Sequence, residues 1–269
     1  MSHDADERAR AAIGRLLGIM RRLRAPDGGC PWDLAQDFAS IAPYTIEEAY
    51  EVAEAIARGE PRALESELGD LLFQVVFHAQ MGAEKSWFDL ASVAEAISNK
   101  LTERHPHVFA DAQIPAADLN RAWEEHKARE RAAKGDAPGE LADVPLALPA
   151  LARAAKLGKR AGRVGFDWPD ASGVRAKIDE ELREVDELPA DDTDRRAEEL
   201  GDLLFATANW ARHQGIDPEE ALRLANAKFE RRFRVMETLA ARRGVALGSL
   251  DPATWDALWT EAKAGEKAR

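Results

Sequence analysis

The same seven residues, Glu-Leu-Gly-Asp-Leu-Leu-Phe, occur twice in this chain of 269 residues, at Glu67–Phe73 and again at Glu199–Phe205. The copies start 199 − 67 = 132 residues apart, which is close to half of the chain. This period is too long for a solenoid repeat, whose units usually span about 20–50 residues. The repeat therefore predicts an internal duplication that produces two homologous domains.

Both copies lie in an amphipathic helical pattern. Leu68, Leu71 and Leu72 begin an apolar stripe in the first copy, and Leu200 and Leu203 do so in the second. Alternating β-branched runs are almost absent, whereas Ala, Leu, Glu and Arg are abundant, so the fold is predicted to be all-α, with the leucines of the repeat facing the core. Helices are predicted at residues 7–24, 45–58, 62–82, 89–104, 118–133, 147–160, 172–187, 193–214, 217–242 and 252–264.

A segment rich in proline and glycine separates the two halves. It is the stretch KGDAPGELADVPLALP, which is typical of a linker between domains. We therefore predict an N-terminal helical bundle at residues 1–133, a linker at 134–149 and a C-terminal helical bundle at 150–269.

The composition limits what such a chain binds and where it works. The formal net charge of −12 disfavours a general nucleic-acid-binding protein, which needs a basic surface. No apolar run is long enough for a membrane span, and the charged N-terminus does not resemble a signal peptide. Cys30 is the only cysteine, which excludes an internal disulfide and indicates a structural role. We expect a cytoplasmic protein that binds neither nucleic acid nor membrane.

Carboxylate pairs recur at a fixed spacing in both halves. The two members of each pair are three residues apart, so their side chains share one face of a helix. The pairs are Glu48/Glu51 and Glu67/Asp70 in the first half, and Glu181/Glu184 and Glu199/Asp202 in the second. Because each half carries its pairs on consecutive helices joined by a short turn, antiparallel packing is expected to bring four carboxylates together.

Four converging carboxylates repel one another unless a cation lies among them. Oxygen ligands favour Mg²⁺, Mn²⁺ or Ca²⁺ over zinc, and carboxylate-held Mg²⁺ is typical of phosphate chemistry. The spacing thus predicts a metal site in each half. Gly69 and Gly201 lie between the acids of the repeat, where glycine destabilises a helix by about 1 kcal/mol relative to alanine. We predict that these glycines permit a close helix–helix approach.

The order of several motifs resembles the MazG family of nucleoside triphosphate pyrophosphohydrolases. Each half contains EExxE followed by ExxD. GGCPWD lies upstream of the first of these pairs, and the other motifs are RHPHVFAD, WEEHKARER, GFDWP, KFERRF and LWTEAK. The resemblance covers nearly the whole chain. It implies an all-α homodimer that uses Mg²⁺, with Mn²⁺ as a substitute, and cleaves a nucleoside triphosphate between its α and β phosphates.

The resemblance also implies roles for the acidic residues. The metal ligands of the second half are Glu181, Glu184, Glu199 and Asp202, and their counterparts in the first half are Glu48, Glu51, Glu67 and Asp70. The carboxylate that activates the attacking water stays open between Glu180 and Glu181. Trp259 and Lys263, in the C-terminal LWTEAK motif, are expected near the nucleotide, and Trp259 is suited to stacking on a base.

The two halves differ in the cations near their acids. Lys177 lies one helical turn before Glu181, where it is predicted to reach a phosphate, but its counterpart before Glu48 is Tyr44. The second half also contains Lys228, Arg231 and Arg232, which are predicted to bind phosphates, together with Asn209, predicted to contact the nucleotide.

The first half retains only part of this set. It has Lys100 and Arg104, but Glu103 replaces Arg231 and Phe77 replaces Asn209. A triphosphate carries about four negative charges and Mg²⁺ offsets only two, so cations matter. We predict that the second half does most of the hydrolysis. Alternatively, cations for the first half come from elsewhere in the chain or from a partner subunit.

Two further functions remain open from the sequence alone. One is a related pyrophosphatase with a narrow substrate, such as a dNTP or phosphoribosyl-ATP. The other is a helical regulator that binds Mg²⁺ and nucleotide without turnover. Of the remaining candidates, His78 is predicted at the edge of the core, His105 and His107 at the end of a helix, and Trp123 in packing.

Overall fold

The computed structural model describes residues 3–110, 139–142 and 144–267, together with positions 114, 115, 118, 119, 122, 123, 126 and 129. The chain separates into two compact units, Met1–Arg129 and Glu130–Arg269. The described residues are helical with no strand, which confirms the all-α prediction. Much of the predicted linker and of the predicted helix at 118–133 lies outside the described residues, so the domain boundaries stay a prediction.

The helices of each unit follow one another in a simple order. Unit 1 contains α1 (His3–Leu23), α2 (Pro31–Ala35), α3 (Phe38–Arg58), α4 (Pro61–Glu84), α5 (Leu90–Arg104) and α6 (Pro106–Phe109). Unit 2 contains α7 (Ala150–Arg163), α8 (Ala171–Glu187), α9 (Thr193–His213), α10 (Pro218–Arg242), a 3-10 turn (Leu247–Ser249) and α11 (Pro252–Lys267). None of the described helices has an apolar stretch that could cross a membrane.

Local caps determine where α3, the first helix of the long pair in unit 1, begins and ends. Asp37 and Ser40 form a reciprocal capping box, in which each side chain accepts from the backbone N–H of the other. This box starts α3 at Phe38, seven residues before the predicted start, and α3 continues through Pro43. Gly59 ends the helix at φ 67°, a left-handed conformation that glycine adopts without strain.

A two-residue turn after α3 makes its partner helix antiparallel. Pro61 occupies the first turn of α4, where its missing N–H leaves no hydrogen bond unmade. In unit 2, α8 begins after Asp170 and α9 after Asp192, and both carboxylates accept backbone N–H groups as N-caps. Helices α3 and α4 pack together, as do α8 and α9, so each unit carries its acidic pairs on facing helices.

Each unit has its own core. Met20 of α1 packs with Ile41 of α3 and with Phe77 and Met81 of α4 in unit 1. Unit 2 has a cluster at the α10–α11 contact that contains Met236 and Leu258, and the aromatic side chains Trp255 and Trp259 pack against it.

The leucines of the repeated segment do not all face the core. Leu68 is 48% exposed and Leu204 is 58% exposed, and Leu72 and Leu200 are exposed as well. The prediction of buried leucines is therefore wrong for these positions. The apolar stripe is wider than the face that the partner helix covers within each unit.

The two mid-helix glycines also differ from the prediction. A Cβ atom added at Gly69 or Gly201 meets no heavy atom within 4 Å in the described part of the chain. Neither glycine is needed for a close helix–helix approach inside its unit, so this prediction is wrong. The close approach of unit 2 occurs instead at Gly158 of α7, where an added Cβ would overlap the side chain of Asn209 on α9.

Candidate metal and nucleotide site

Three carboxylates of unit 2 converge between α8 and α9. Oxygen atoms of Glu181, Glu184 and Glu199 all lie within 4.8 Å of one another, a separation suited to a shared metal ion. Glu181 is buried, whereas Glu184 and Glu199 are half-buried. Asp202 follows Glu199 by three residues on the same helix and is exposed, outside this group of three.

Lys177 lies beside the buried carboxylate, as its spacing predicts. Its Nζ is 2.6 Å from Glu181 Oε1 and 2.8 Å from Glu180 Oε1. These two hydrogen bonds, the Glu180 bond first, raise the pKa of Lys177 above its ordinary value. The ammonium in turn lowers the pKa of Glu180. Lys177 is therefore charged and donates hydrogen bonds to both candidate general bases, Glu180 and Glu181.

The second oxygen of Glu181 has no such partner. Glu181 Oε2 is buried and accepts no hydrogen bond from the described protein atoms. A buried carboxylate oxygen without a donor is costly unless another ligand satisfies it. Because Glu181 also belongs to the converging group of three, its donor set fits a divalent cation with oxygen ligands.

The electrostatics of Glu184 support the same interpretation. Burial is the main cause that raises its pKa, and the neighbouring charges of Glu181 and Glu199 raise it further. Lys177 acts in the opposite direction. A cation bound among these carboxylates would offset their mutual repulsion, which is the second cause of the raised pKa.

Unit 1 forms a second acidic group at the equivalent place. Oxygen atoms of Glu48, Glu67 and Asp70 lie within 4.8 Å of one another between α3 and α4. Burial, followed by the charge of Glu51, raises the pKa of both Glu48 and Glu67. Tyr44 occupies the position equivalent to Lys177 and contacts Trp32 edge-on, with ring centroids 6.3 Å apart.

Apart from Lys177 on α8 and Asn209 on α9, the predicted phosphate and base ligands lie on α10 and α11. The guanidinium of Arg232 is 5.6 Å from the ring centroid of Trp259, a cation–π distance. Lys228 and Arg231 are exposed on the same helix as Arg232, and Lys263 is half-buried. The structure thus brings Arg232 to Trp259, and it brings Lys177 to the acidic group of α8 and α9.

The equivalent pair in unit 1 was not recognised from the sequence. Arg104 lies 5.1 Å from the ring centroid of Trp123, so the predicted packing residue Trp123 matches Trp259. A signal was present, since both tryptophans precede a lysine by four residues, as Trp123/Lys127 and Trp259/Lys263. The two tryptophans are separated by a different number of residues from the two acidic segments, so aligning the halves on the acidic segments does not pair the tryptophans.

Asn209, which is predicted to contact the nucleotide, lies inside unit 2 and not at its surface. It is fully buried; its amide nitrogen donates to the carbonyl of Phe205 at 3.0 Å, and its amide oxygen accepts from Arg212 at 3.0 Å. Because Asn209 has no exposed surface, contact with a nucleotide would require the residues that cover it to move. Its role as a nucleotide ligand stays a prediction.

Arg212 continues this network to the loop before α8. It donates two hydrogen bonds to the carboxylate of Asp167, and His213 contacts the same carboxylate at 2.9 Å. The Arg212 bonds are the main cause that lowers the pKa of Asp167 to about 2. The network therefore ties the loop that precedes the acidic helix α8 to the end of α9.

Two histidines of unit 1, His78 and His105, make contacts within the fold. His78 Nε2 is 3.0 Å from the hydroxyl of Thr45, and its ring stacks on Phe38. Burial lowers the pKa of His78, as expected at the edge of a core. His105 separates α5 from α6, and its Nδ1 is 2.7 Å from the carbonyl of Leu101, as expected at a helix end.

Comparison with known proteins groups this chain with one enzyme family. The MazG nucleotide pyrophosphohydrolase domain matches residues 36–109 and 171–235, which are the two acidic helix pairs with their neighbours. The nucleoside triphosphate pyrophosphohydrolase of Escherichia coli K12 is 50% identical over 259 residues, 94% of this chain and 98% of that protein.

Two further relatives show how far the similarity extends. The nucleoside triphosphate pyrophosphohydrolase/pyrophosphatase MazG of Thermotoga maritima is 42% identical over 252 residues, covering 94% of this chain and 96% of that protein. The nucleoside triphosphate pyrophosphohydrolase of Mycobacterium tuberculosis is 38% identical over 152 residues, 56% of this chain and 45% of that protein. The domain occurs twice here, which confirms the predicted duplication, and this chain belongs to the MazG nucleotide pyrophosphohydrolase family.

Proposed function

We propose that the chain is a Mg²⁺-dependent nucleoside triphosphate pyrophosphohydrolase. Water attacks the α-phosphorus, the bond from that phosphorus to the α–β bridging oxygen breaks, and the products are a nucleoside monophosphate and pyrophosphate. The observation that carries the proposal is the converging group of Glu181, Glu184 and Glu199 with the charged Lys177 beside it. The family membership, through relatives named for this activity, supports the reaction class.

Glu181, Glu184, Glu199 and Asp202 are the proposed metal ligands. The unpartnered Oε2 of Glu181 supports an oxygen-liganded cation, and Asp202 adds a fourth carboxylate one turn from Glu199. Bound Mg²⁺ supplies electrophilic activation of the α-phosphate and offsets charge on the phosphates. Mn²⁺ is a suitable substitute because it accepts the same carboxylate ligands.

The chain's own side chains orient and neutralise the substrate. Lys177, Lys228, Arg231 and Arg232 are proposed to bind the phosphates, and Lys263 to assist them. Trp259 is proposed to stack on the base. Either Glu180 or Glu181 accepts the proton of the attacking water, and Lys177 contacts both of them.

Unit 1 is proposed to bind a cation without doing most of the hydrolysis. Its acidic group of Glu48, Glu67 and Asp70 lies between the equivalent helices, although its members differ: Asp70 belongs to it, whereas Glu51, the counterpart of Glu184, does not. Its cationic complement is smaller, because Tyr44 replaces Lys177 and Glu103 replaces Arg231. We therefore assign catalysis mainly to unit 2.

We further propose a cytoplasmic homodimer. Each unit has exposed leucines in its repeated segment, Leu68 and Leu72 in unit 1 and Leu200 and Leu204 in unit 2, and each provides an apolar surface that a second copy can cover. The single cysteine fits a reducing compartment. Analytical ultracentrifugation at micromolar concentration is expected to give twice the monomer mass of 29.6 kDa, and a monomer would contradict the dimer.

The reaction is tested by incubating the protein with each NTP and dNTP in Mg²⁺ and separating pyrophosphate from orthophosphate. We expect pyrophosphate and a nucleoside monophosphate in equal amounts, and no reaction in excess EDTA. Orthophosphate as the product would contradict cleavage between the α and β phosphates. Nucleotide binding with no product from any substrate would instead establish the non-catalytic regulator.

A further inference from the structure

Lys177 already provides a cation for the acidic group of unit 2. Its ammonium contacts Oε1 of Glu181 and also Oε1 of Glu180, which lies outside the converging group. Lys177 is 36% exposed, whereas the Glu181 side chain is 3% exposed. One side chain therefore links a buried metal-ligand candidate to a carboxylate near solvent.

A divalent cation and this ammonium are attracted to the same buried carboxylate. They also repel each other, because both are positive and would lie within a few ångströms. Lys177 can leave Glu181 without becoming unpaired, since Glu180 accepts its second hydrogen bond. Its exposure gives the side chain room to move toward solvent, where the phosphates of a substrate would arrive.

We propose that Lys177 is an exchangeable counter-ion of the unit 2 metal site. Before a divalent cation binds, Lys177 neutralises Glu181; when the cation binds, the ammonium leaves Glu181 and becomes available to the nucleotide phosphates. The inference rests on the metal site of the proposed function. It makes phosphate binding by Lys177 depend on prior metal binding, so metal and nucleotide bind in a favoured order.

The exchange has a signature that other roles of Lys177 do not share. Removing the ammonium removes the competitor for Glu181, so metal binding becomes tighter, while nucleotide binding becomes weaker because a phosphate ligand is lost. A residue that only orients Glu181 would weaken metal binding when replaced. A residue that only binds phosphate would leave metal binding without nucleotide unchanged.

The experiment measures Mn²⁺ affinity by electron paramagnetic resonance without nucleotide. The background variant carries Glu48→Gln and Glu67→Gln, which weaken the acidic group of unit 1. In this background, Lys177→Met is expected to bind Mn²⁺ about tenfold more tightly. Arg175→Met is the matched control, because Arg175 lies on the same helix and pairs with Asp179 at 2.7 Å, not with the acidic group. It is expected to stay within about twofold.

The second measurement is the affinity of the same variants for a non-hydrolysable α,β-methylene triphosphate at saturating Mn²⁺. Lys177→Met is expected to weaken this binding about tenfold, opposite in sign to its effect on Mn²⁺. Unchanged or weaker Mn²⁺ binding in Lys177→Met would overturn the exchange. Glu184→Gln tests the proposed metal site separately: if this variant keeps the Mn²⁺ affinity of the background, the site itself is misplaced.

Discussion

The α3–α4 pair of unit 1 and the α8–α9 pair of unit 2 carry the same acidic segment but neutralise it differently. In unit 2, Lys177 contacts the buried Glu181 directly. In unit 1 the equivalent residue is Tyr44, and the pKa values of Glu48 and Glu67 are raised by burial and by neighbouring acids. The repeated segment thus supplies carboxylates in both units, and the surrounding residues decide what the carboxylates can do.

Both units have an ion pair at a similar place, but the positions of the basic and the acidic residue are exchanged. In unit 1, Arg24 follows α1 and binds Glu84 at the end of α4, with its guanidinium 5.3 Å from the centre of the Phe77 ring. In unit 2, Asp167 follows α7 and binds Arg212 near the end of α9. Each ion pair therefore connects the segment after α1 or α7 to the helix of the same unit that carries the repeated segment.

The largest stability difference is expected at the glycines of the first helix in each unit. Gly158→Ala should lower the free energy of unfolding by about 2–3 kcal/mol, because the new Cβ overlaps the buried Asn209 amide. Gly18→Ala in α1 is the control, since its Cβ meets nothing within 4 Å. It should be neutral or stabilising by up to about 1 kcal/mol, because alanine favours helix. Urea denaturation measures both, and equal effects would contradict the tight α7–α9 contact.

The matched Arg–Trp pairs give the next prediction. Arg232→Met should raise KM about 30-fold, equivalent to about 2 kcal/mol, because a charged hydrogen bond to phosphate is lost. Arg104→Met in unit 1 should change KM less than about twofold, because this pair is not assigned to the catalytic site. Steady-state kinetics with a single nucleoside triphosphate compares the two. A larger change in KM for Arg104→Met would indicate that the substrate binds at unit 1.

The exchanged ion pairs predict a difference in acid stability. The pKa of Asp167 is lowered to about 2, so this carboxylate stabilises the folded state above its ordinary pKa of 3.8, and the stabilisation disappears as pH falls from about 4 to 2. Asp167 is partly exposed, so the contribution is about 1–2 kcal/mol after screening. Asp167→Asn should therefore lower the free energy of unfolding at pH 7. Below pH 4, the free energy of unfolding should fall less in this variant than in the wild type.

Glu84→Gln is the matched variant in unit 1. Arg24 also lowers the pKa of Glu84, but the Glu84 side chain is 33% exposed and that of Asp167 is 22% exposed, so solvent screens the Glu84 pair more. Thermal unfolding at pH 7 and pH 3 should show a smaller effect for Glu84→Gln than for Asp167→Asn. The reverse order would mean that the unit 1 ion pair is the stronger one.

The smallest effect is expected when the missing lysine is placed in unit 1. In a chain with Glu184→Gln and Glu199→Gln, Tyr44→Lys should weaken Mn²⁺ binding at the unit 1 acids about fivefold, because a competing ammonium is added. Tyr44→Phe should leave the affinity unchanged. Tighter Mn²⁺ binding in Tyr44→Lys would mean that a lysine at this position supports the metal instead of competing with it.

Local spacing predicted where the acidic groups lie but not all of their members, because Asp202 and Glu51 lie outside the two groups of three carboxylates. Residues three and four apart share a helix face, so the convergence of Glu181 with Glu184, and the contact of Lys177 with Glu181, follow from the sequence. The environment of Asn209 did not follow, because it depends on Gly158 in a helix about 50 residues away in sequence. The exposed leucines show the same limit: periodicity predicts an apolar stripe but not how much of it the partner helix covers.

We propose that the equivalent carboxylates of the two units have unequal catalytic roles. This proposal is tested most directly by measuring pyrophosphate release from one nucleoside triphosphate in saturating Mg²⁺ for Glu184→Gln and Glu51→Gln side by side. Glu184→Gln should lower kcat/KM about 1000-fold, because a proposed metal ligand of the reacting site is lost, whereas Glu51→Gln should stay within about threefold of the wild type. Loss of activity in Glu51→Gln with activity retained in Glu184→Gln would contradict the account.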